Sequence, residues 1–552
     1  MSAPLRPIAD VAQDLGLHAD DVIPWGRHRA KISLDALGRG SGRQGRLVLV
    51  SAINPTPAGE GKTTTSVALA MGLAKRGRRA VAALREPSLG PVFGMKGGGT
   101  GGGLATLEPA ADINLHFTGD IHAVTSAHNL LAAIADNAMH FRAPVNLDPR
   151  TLRWRRALDM NDRALRNVVL SLGKGHGPVR ESAFDITAAS EVMAILCLAT
   201  SVKDLEARLA RIVVGTTMTG APVRAGDLGA SAAMTALLLD ALMPNIVQTR
   251  EGTPAVVHGG PFANIAHGCN SVLATRLALA YGDDVITEAG FGFDLGAEKF
   301  LDIKCRMAGL WPHGVVLVAT HRALKMHGGV PVAKSGDADA AALSRGLEHL
   351  EKHLETLRFY GLPAVVAVNG FPNDTADEQA VLRDFGARHG VAVARHEGFA
   401  KGGEGALELA DAVTHMLDRS DAERSAPRFV YELSDAPQEK IRKIARTVYG
   451  ADDAVFTSGA VKDLEAAVAL GGAELPVCMA KTHLSLTDDK GRPGRPRGFN
   501  VTVREARLSA GAGFIVALTG DIMTMPGLPK VPAAARVVVH DDGRVTGLMQ
   551  GD

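Results

Sequence analysis

Short apolar runs alternate with helical patterns along most of this chain. "RLVLVSAI" (46–53), "RAVAAL" (79–84), "NVVLSL" (167–172), "GVVLVAT" (314–320) and "PAVVAVN" (363–369) are rich in Val, Leu and Ala. Runs with so little polar alternation predict strands buried on both faces, and hence mainly parallel sheets in an α/β fold. In such sheets the ligand-binding loops lie beyond the carboxyl ends of the strands. Chemistry is therefore expected in the residues that follow each run.

The first run is followed by "PTPAGEGKTTT", Pro55 to Thr65, and then by the helical pattern "TTTSVALAMGLAKRG", with Gly77 as a stop signal. Strand, glycine-bearing turn and helix in that order form the frame of a phosphate-binding loop. Backbone N–H groups at the helix N-terminus face the anion, and the helix dipole favours negative charge. The usual pattern G-x-x-x-x-G-K-[ST] puts its first glycine at position 56, where this chain has threonine. Loops that relax this glycine occur in dethiobiotin synthetase and in the MinD-type ATPases. The expected nucleotide contacts are Thr56, Pro57, Ala58, Gly59, Glu60, Gly61, Lys62 and Thr63. Lys62 would reach the β- and γ-phosphates, and the Thr63 hydroxyl would face Mg²⁺. Gly59 and Gly61 would let the backbone approach the phosphates.

Other strand-end segments add candidates. "REPSLGPVFGMKGGGTGGG" (85–103) begins with Arg85 and Glu86 at a strand end, which favours a ligand-wrapping loop over a plain linker. "THRALKMHGG" carries Arg322 and Lys325, "GFPNDTADE" carries Phe371, and "GFAKGGEG" carries Phe399. "TGDIMTMPGLPKVPAA" has the prolines and glycines of a fixed, irregular segment. His122 and His128 are six residues apart, as are His321 and His327; on a helix that spacing separates the side chains, which argues against metal pairs. His267 reads as a hydrogen-bonded packing residue more readily than as a catalyst. No nucleophile motif of the G-x-S-x-G kind is present.

Composition narrows the class. The chain has 552 residues, enough for about three domains. Lys plus Arg number 60 and Asp plus Glu 59, so bulk charge gives no sign of a nucleic-acid partner. The one basic cluster, "GRPGRPRG" (491–498), reads as a solvated surface loop or a contact for an anionic tail. The four cysteines are far apart and form no CxxC pair, which predicts free thiols in a reducing cytoplasm. No stretch of ~18 uninterrupted apolar residues predicts a membrane span. The N-terminal "MSAPLRPIADVAQDLGL" lacks the apolar core of a signal peptide.

The loop and strand-end segments, with "FTGDIHA", "FDITAASEVMAILCLA", "HGGPFANIAHGCNS", "TEAGFGFDLGAEKFLDIKCR", "VATHRALKMHGG", "NGFPNDT", "AKGGEG" and "TMPGLPK", resemble the formate–tetrahydrofolate ligase (10-formyltetrahydrofolate synthetase) family over essentially the full length. The resemblance implies a three-domain α/β subunit, with a large P-loop-containing parallel-sheet domain and two smaller α/β domains. The expected division is 1–110 with 240–355 for the nucleotide-binding domain, 111–239 for an inserted domain, and 356–552 for a C-terminal domain contacting folate and nucleotide. It further implies a homotetramer and activation by a monovalent cation, K⁺ or NH₄⁺. The implied reaction joins formate to tetrahydrofolate with MgATP through formyl phosphate.

By resemblance, Arg85 holds formyl phosphate, and Glu86 belongs to the monovalent-cation or substrate environment. Phe371 and Phe399 would sandwich the pterin of the folate; buried packing under their loops is the alternative. Asp120 and His122 are candidates near the reacting amine, and a structural helix cap is the alternative for Asp120. The chain departs from the family at Gly99, Thr100 and Leu104 in the glycine-rich segment, at Gly370 where arginine is frequent, and at Phe399 where tryptophan is usual. An ATPase switch, sharing only the loop, is the competing class; the long glycine and aromatic segments downstream count against it.

Overall fold

The computed structural model describes residues 4–548 apart from 41, 43, 58, 96, 97, 424, 425 and 521. Its centre is a 12-stranded sheet. The strands are β1 (Val22–Pro24), β2 (Ala30–Ile32), β3 (Arg46–Ala52), β4 (Ala80–Leu84), β5 (Gly101–Gly102), β6 (Ala105–Glu108), β7 (Asn245–Thr249), β8 (Pro254–Val257), β9 (Asp284–Glu288), β10 (Gly314–Ala319), β11 (Ala364–Asn369) and β12 (Ala392–His396). They lie in the order β1-β2-β7-β8-β4-β9-β3-β10-β11-β12, with β6 also against β7 and β5 against β6. From β8 to β12 every pairing is parallel.

The apolar runs form strands because both faces are covered. Leu47, Leu49, Val81, Val285 and Val315 pack into one core, and Val48, Val50, Ala82, Ile286 and Val316 into another on the opposite face. Each strand thus buries both sets of alternating side chains, and the alternation disappears from the sequence. Helix α1 (Lys62–Lys75) follows β3 and is buried without interruption from Thr64 to Leu73. It packs beside Leu407–Glu423 on one face.

The chain runs from β3 through α1 to β4, crossing β9, whereas β10 lies on the other side of β3. The strand order thus reverses direction at the carboxyl end of β3, the place where doubly wound sheets bind ligands. Between β6 and β7 the chain builds an insert of helices and short strands, whose longest helix is α2 (Asp120–His140). Beyond the large sheet, Val477–Ala480, Phe514–Leu518 and Glu505–Ser509 form a separate three-stranded sheet.

The large sheet continues past residue 355, where β11 and β12 pair in series with β10. One expectation is corrected. The run at 167–172 is no part of a parallel sheet: Val168–Leu170 pairs antiparallel with Arg180–Ser182 as a projecting hairpin, with Val169 and Leu172 exposed. Apolar residues there mimicked a buried strand without being one.

Candidate active site

β3 ends at Ala52, two residues before Asn54, and the 55–65 loop enters α1 at Lys62. Gly59 (φ 73°) and Gly61 (φ 74°) both take the left-handed conformation. At Gly61 a Cβ would stand 2.5 Å from Asn369 Nδ2, so only glycine fits. The threonine at 56 closes the turn in another way: its backbone N–H donates to Glu60 Oε1 at 2.7 Å and its hydroxyl to the same oxygen at 3.1 Å. Burial raises the Glu60 carboxyl above its ordinary value, with Lys62 opposing. Pro57 is exposed, and Ala58 lies outside the described residues. Lys62 is half-buried, not solvent-facing as an empty loop would suggest. Burial lowers its ammonium, and Glu60 and Glu288 hold it up.

Three strand ends converge beside this loop. β9 lies between β3 and β4, and Glu288, its last residue, pairs in register with Val50 of β3. The Thr63 hydroxyl donates to Glu288 Oε2 at 2.9 Å, and Arg85 Nη2 stands 3.6 Å from Glu288 Oε1. Arg85 follows β4 and donates from Nη1 to Pro261 O at 3.3 Å, while its buried Nε has no hydrogen-bond partner among the described residues. A Cβ at Gly290 would stand 2.9 Å from Arg85 Nη1, so the glycine leaves room for the guanidinium. Sequence reading missed Glu288. An acid ending the apolar run "DVITE" was its one visible signal, and that became meaningful only once β9 was known to lie beside β3.

Glu86, the next residue, faces a different set of charges: Asp120, Lys31 and Asp159. Its Oε2 is buried with no hydrogen-bond partner among the described residues, and burial, then Asp120, raise its carboxyl well above the ordinary range. Asp120 begins α2 and is itself buried. Lys31 Nζ donates to its Oδ1 and Asn245 Nδ2 to its Oδ2, each at 2.7 Å. Both oxygens are committed to these internal partners. Asp159 stands nearby and accepts from Ser88 Oγ and Leu89 N.

Phe371 and Phe399 follow β11 and β12, whose ends pair as Asn369 with His396. Phe371 is half-buried, with the Arg322 guanidinium 4.5 Å over its ring. Phe399 is 46% exposed. Its ring lies on the glycine run: a Cβ at Gly102 would stand 3.0 Å from Phe399 Cε2. Leu104 N donates to Phe399 O at 2.8 Å. Neither aromatic is a core residue. Beside Phe371, the Arg395 guanidinium occupies the space that a side chain at Gly370 would need.

The histidines fall into different settings. His122 is exposed; His128 is buried, stacked on Trp154 and bonded to Ser190 and Arg155. His267 is buried as expected, but neither ring nitrogen has a hydrogen-bond partner among the described residues. His321, Asp374 and Glu378 offer three ligand atoms within 4.8 Å of one another. Glu378 Oε1 already accepts from Lys325 Nζ at 2.9 Å, so an ammonium takes the place a cation would need. The "GRPGRPRG" segment is largely exposed, as expected of a surface loop, but it is anchored at Arg495, which pairs with Glu355 at 2.7 Å and Glu351 at 3.3 Å. No helix among the described residues is long and apolar enough to cross a membrane.

Comparison with known proteins decides the family. The family profile described as formate–tetrahydrofolate ligase matches residues 1–549. The chain belongs to the formate–tetrahydrofolate ligase family. A curated formate–tetrahydrofolate ligase from Myxococcus xanthus (strain DK1622) is 69% identical over 549 residues, covering 99% of this chain and 100% of that relative. The enzyme is thus a ligase, and the crevice at β3, β9 and β4 is its candidate catalytic centre.

Proposed function

We propose that this crevice makes 10-formyltetrahydrofolate by way of formyl phosphate, with the 55–65 segment acting as the phosphate-binding loop. The overall reaction is the ATP-dependent ligation of formate to tetrahydrofolate. The observation that carries the site assignment is the convergence of Thr63, Glu288 and Arg85 at adjacent strand ends beside Lys62.

Formate is a poor acyl donor because hydroxide leaves badly. A formate oxygen attacks the γ-phosphorus, the bond to the bridging β,γ-oxygen breaks, and ADP leaves. N10 of tetrahydrofolate then attacks the formyl carbon, the carbon–oxygen bond to phosphate breaks, and N10 gives up its proton. Phosphoryl transfer needs mainly positioning and charge neutralisation. Lys62 and the amides at the start of α1 supply these at the β- and γ-phosphates. Arg85 offers a planar guanidinium, whose Nε has no partner among the described residues, to the oxygens of formyl phosphate. Thr63 and Glu288 give the hard oxygen donors that suit Mg²⁺, which would neutralise charge on the ATP phosphates.

The Glu86 oxygen that has no partner among the described residues, beside Asp120 and Asp159 with Lys31 the nearby ammonium, supports a monovalent cation, K⁺ or NH₄⁺, at that place. Asp120, a sequence candidate for folate, fits better as support for this group, since both its oxygens are engaged. Phe371 and Phe399, at the ends of neighbouring strands and outside the core, support a stacking site for the pterin. The resemblance supports a homotetramer, and four buried free cysteines fit a cytoplasmic setting.

ADP release measured with and without formate and tetrahydrofolate tests this reading. Release that requires both substrates is expected; an equal rate without them would favour the ATPase-switch class.

A further inference from the structure

Asn54, the last residue before the 55–65 loop, is fully buried and held by two histidines. Its N–H donates to His349 Nε2 at 3.2 Å, and its carbonyl pairs with His327 Nε2 at 3.0 Å. The other nitrogens of the same rings meet one distant residue. His349 Nδ1 pairs with Gly494 O at 2.7 Å, and Gly494 N–H donates to His327 Nδ1 at 3.1 Å. A backbone N–H can only donate and a carbonyl can only accept, so the tautomers follow. His349 carries its proton on Nδ1, and His327 carries its proton on Nε2. The four bonds close a head-to-tail ring through two stacked, neutral imidazoles whose centroids are 3.9 Å apart.

His327 ends α3 (His321–His327), and His349 lies within α4 (Ala340–Tyr360). Gly494 belongs to the "GRPGRPRG" segment between Val477–Ala480 and Asn500–Val503. Its φ is +75°, and a Cβ would stand 2.7 Å from His327 O. The position therefore admits glycine alone. Arg495 locks the same segment onto Glu351 and Glu355 of α4. A second tie runs from Asn54 Nδ2 to His483 O at 3.2 Å.

We propose that His327 and His349 are positioning residues for the nucleotide site, clamping the entry of the 55–65 loop at Asn54 onto Gly494 of the C-terminal segment. The proposal rests on the reading of 55–65 as the nucleotide loop. Neither imidazole touches substrate in this role. They fix both polar backbone groups of the residue from which the loop departs, and so hold its glycines in a phosphate-binding conformation.

His349→Phe keeps the ring and its stacking but leaves Asn54 N–H and Gly494 O unpaired. MgADP affinity, by titration calorimetry on the full chain, should fall about tenfold or more. Half-saturation by tetrahydrofolate should stay at the wild-type value. His349→Gln, whose amide oxygen can still accept from Asn54, should recover part of the loss. Gly494→Ala breaks the ring from its far end and should reproduce the same nucleotide-specific defect. Wild-type MgADP affinity in His349→Phe and Gly494→Ala would overturn the clamp. So would an equal loss for all substrates that merely follows a lowered melting temperature. If His349→Phe does not fold, His349→Gln and Gly494→Ala decide by the same criteria. Lys62→Ala, assayed in parallel, separates the two readings: near wild-type turnover there overturns the loop assignment and the clamp with it. A crippled Lys62→Ala beside normal ring variants overturns the clamp alone.

Discussion

The Thr63 hydroxyl donates to Glu288 at 2.9 Å, joining the first turn of α1 to the end of β9. Glu288 also faces Arg85 across 3.6 Å. One buried carboxylate thus stands between the proposed nucleotide loop and Arg85, the residue proposed for formyl phosphate. Glu288→Gln keeps an acceptor for Thr63 and removes the charge. Turnover should fall by roughly 10²–10³, the cost typical of losing one preorganised charge contact. The Mg²⁺ concentration for half-maximal nucleotide binding should rise as well, which titration at fixed ADP measures. A variant with an unchanged Mg²⁺ requirement would confine Glu288 to holding Arg85.

Lys62→Ala should lower turnover by roughly 10²–10³ as well. Lys62 is half-buried, so some stability is lost with its packing. Circular dichroism should nevertheless show a folded protein, because the core of α1 from Thr64 to Leu73 is untouched. Turnover above about a third of wild type, far short of the loss one charge contact predicts, would remove Lys62 from the mechanism.

Arg85→Lys keeps the charge and loses the planar fork. The Gly290 backbone leaves space shaped for a guanidinium, which an ammonium fills poorly. Maximal rate should fall while ATP affinity changes little. Loss of ATP affinity at an unchanged maximal rate would make Arg85 a nucleotide ligand.

How much of this was legible depends on the range of each interaction. The strand, loop and helix of 46–75 are contiguous, so local patterning sufficed. Phe371 and Phe399 were placed together because each follows a recognisable strand. Glu288 was not legible, since its role depends on β9 being inserted between β3 and β4, and no local pattern reports strand order. Asp120 shows the same limit: a helix-start acid reads as cap or catalyst until Lys31 and Asn245 are brought against it. The anchoring of "GRPGRPRG" at Arg495 was not legible, because the Glu351 and Glu355 that neutralise this arginine sit on a helix remote in sequence.

Burial of histidines makes the fold acid-sensitive. Burial lowers His128, His258, His327 and His396 each from 6.5 to about 4. Below pH 6.5 the unfolded chain binds protons at these sites that the folded chain refuses. Their contribution is full above 6.5 and is lost as pH falls toward 4. Chemical denaturation at stepped pH should show stability dropping across that window, with several protons taken up on unfolding. A flat profile between pH 6.5 and 4.5 would show that these rings titrate normally in the folded state.

The folate assignment makes the most specific demand on geometry. One face of Phe371 is already covered by the Arg322 guanidinium at 4.5 Å, so a pterin can stack only on the other. Phe399 is held from below by backbone: at Gly103 (φ +61°) a Cβ would stand 2.1 Å from Phe399 O, and at Gly102 the ring itself is in the way. The glycine run therefore works as a flat seat for Phe399, and its departures from the family at Gly99 and Thr100 leave that seat intact. An aromatic pair gains roughly 0.5–1.5 kcal/mol beyond its buried area. Phe371→Ala should raise KM for tetrahydrofolate by about three- to tenfold on that scale, with KM for ATP and formate unchanged. Gly103→Ala should act in the same direction by displacing Phe399, without touching folate itself. Phe399→Trp should lower KM for tetrahydrofolate, because a larger face stacks on the same seat. Folate saturation unchanged in both Phe371→Ala and Gly103→Ala would leave these rings as loop packing and place the pterin elsewhere along the strand ends.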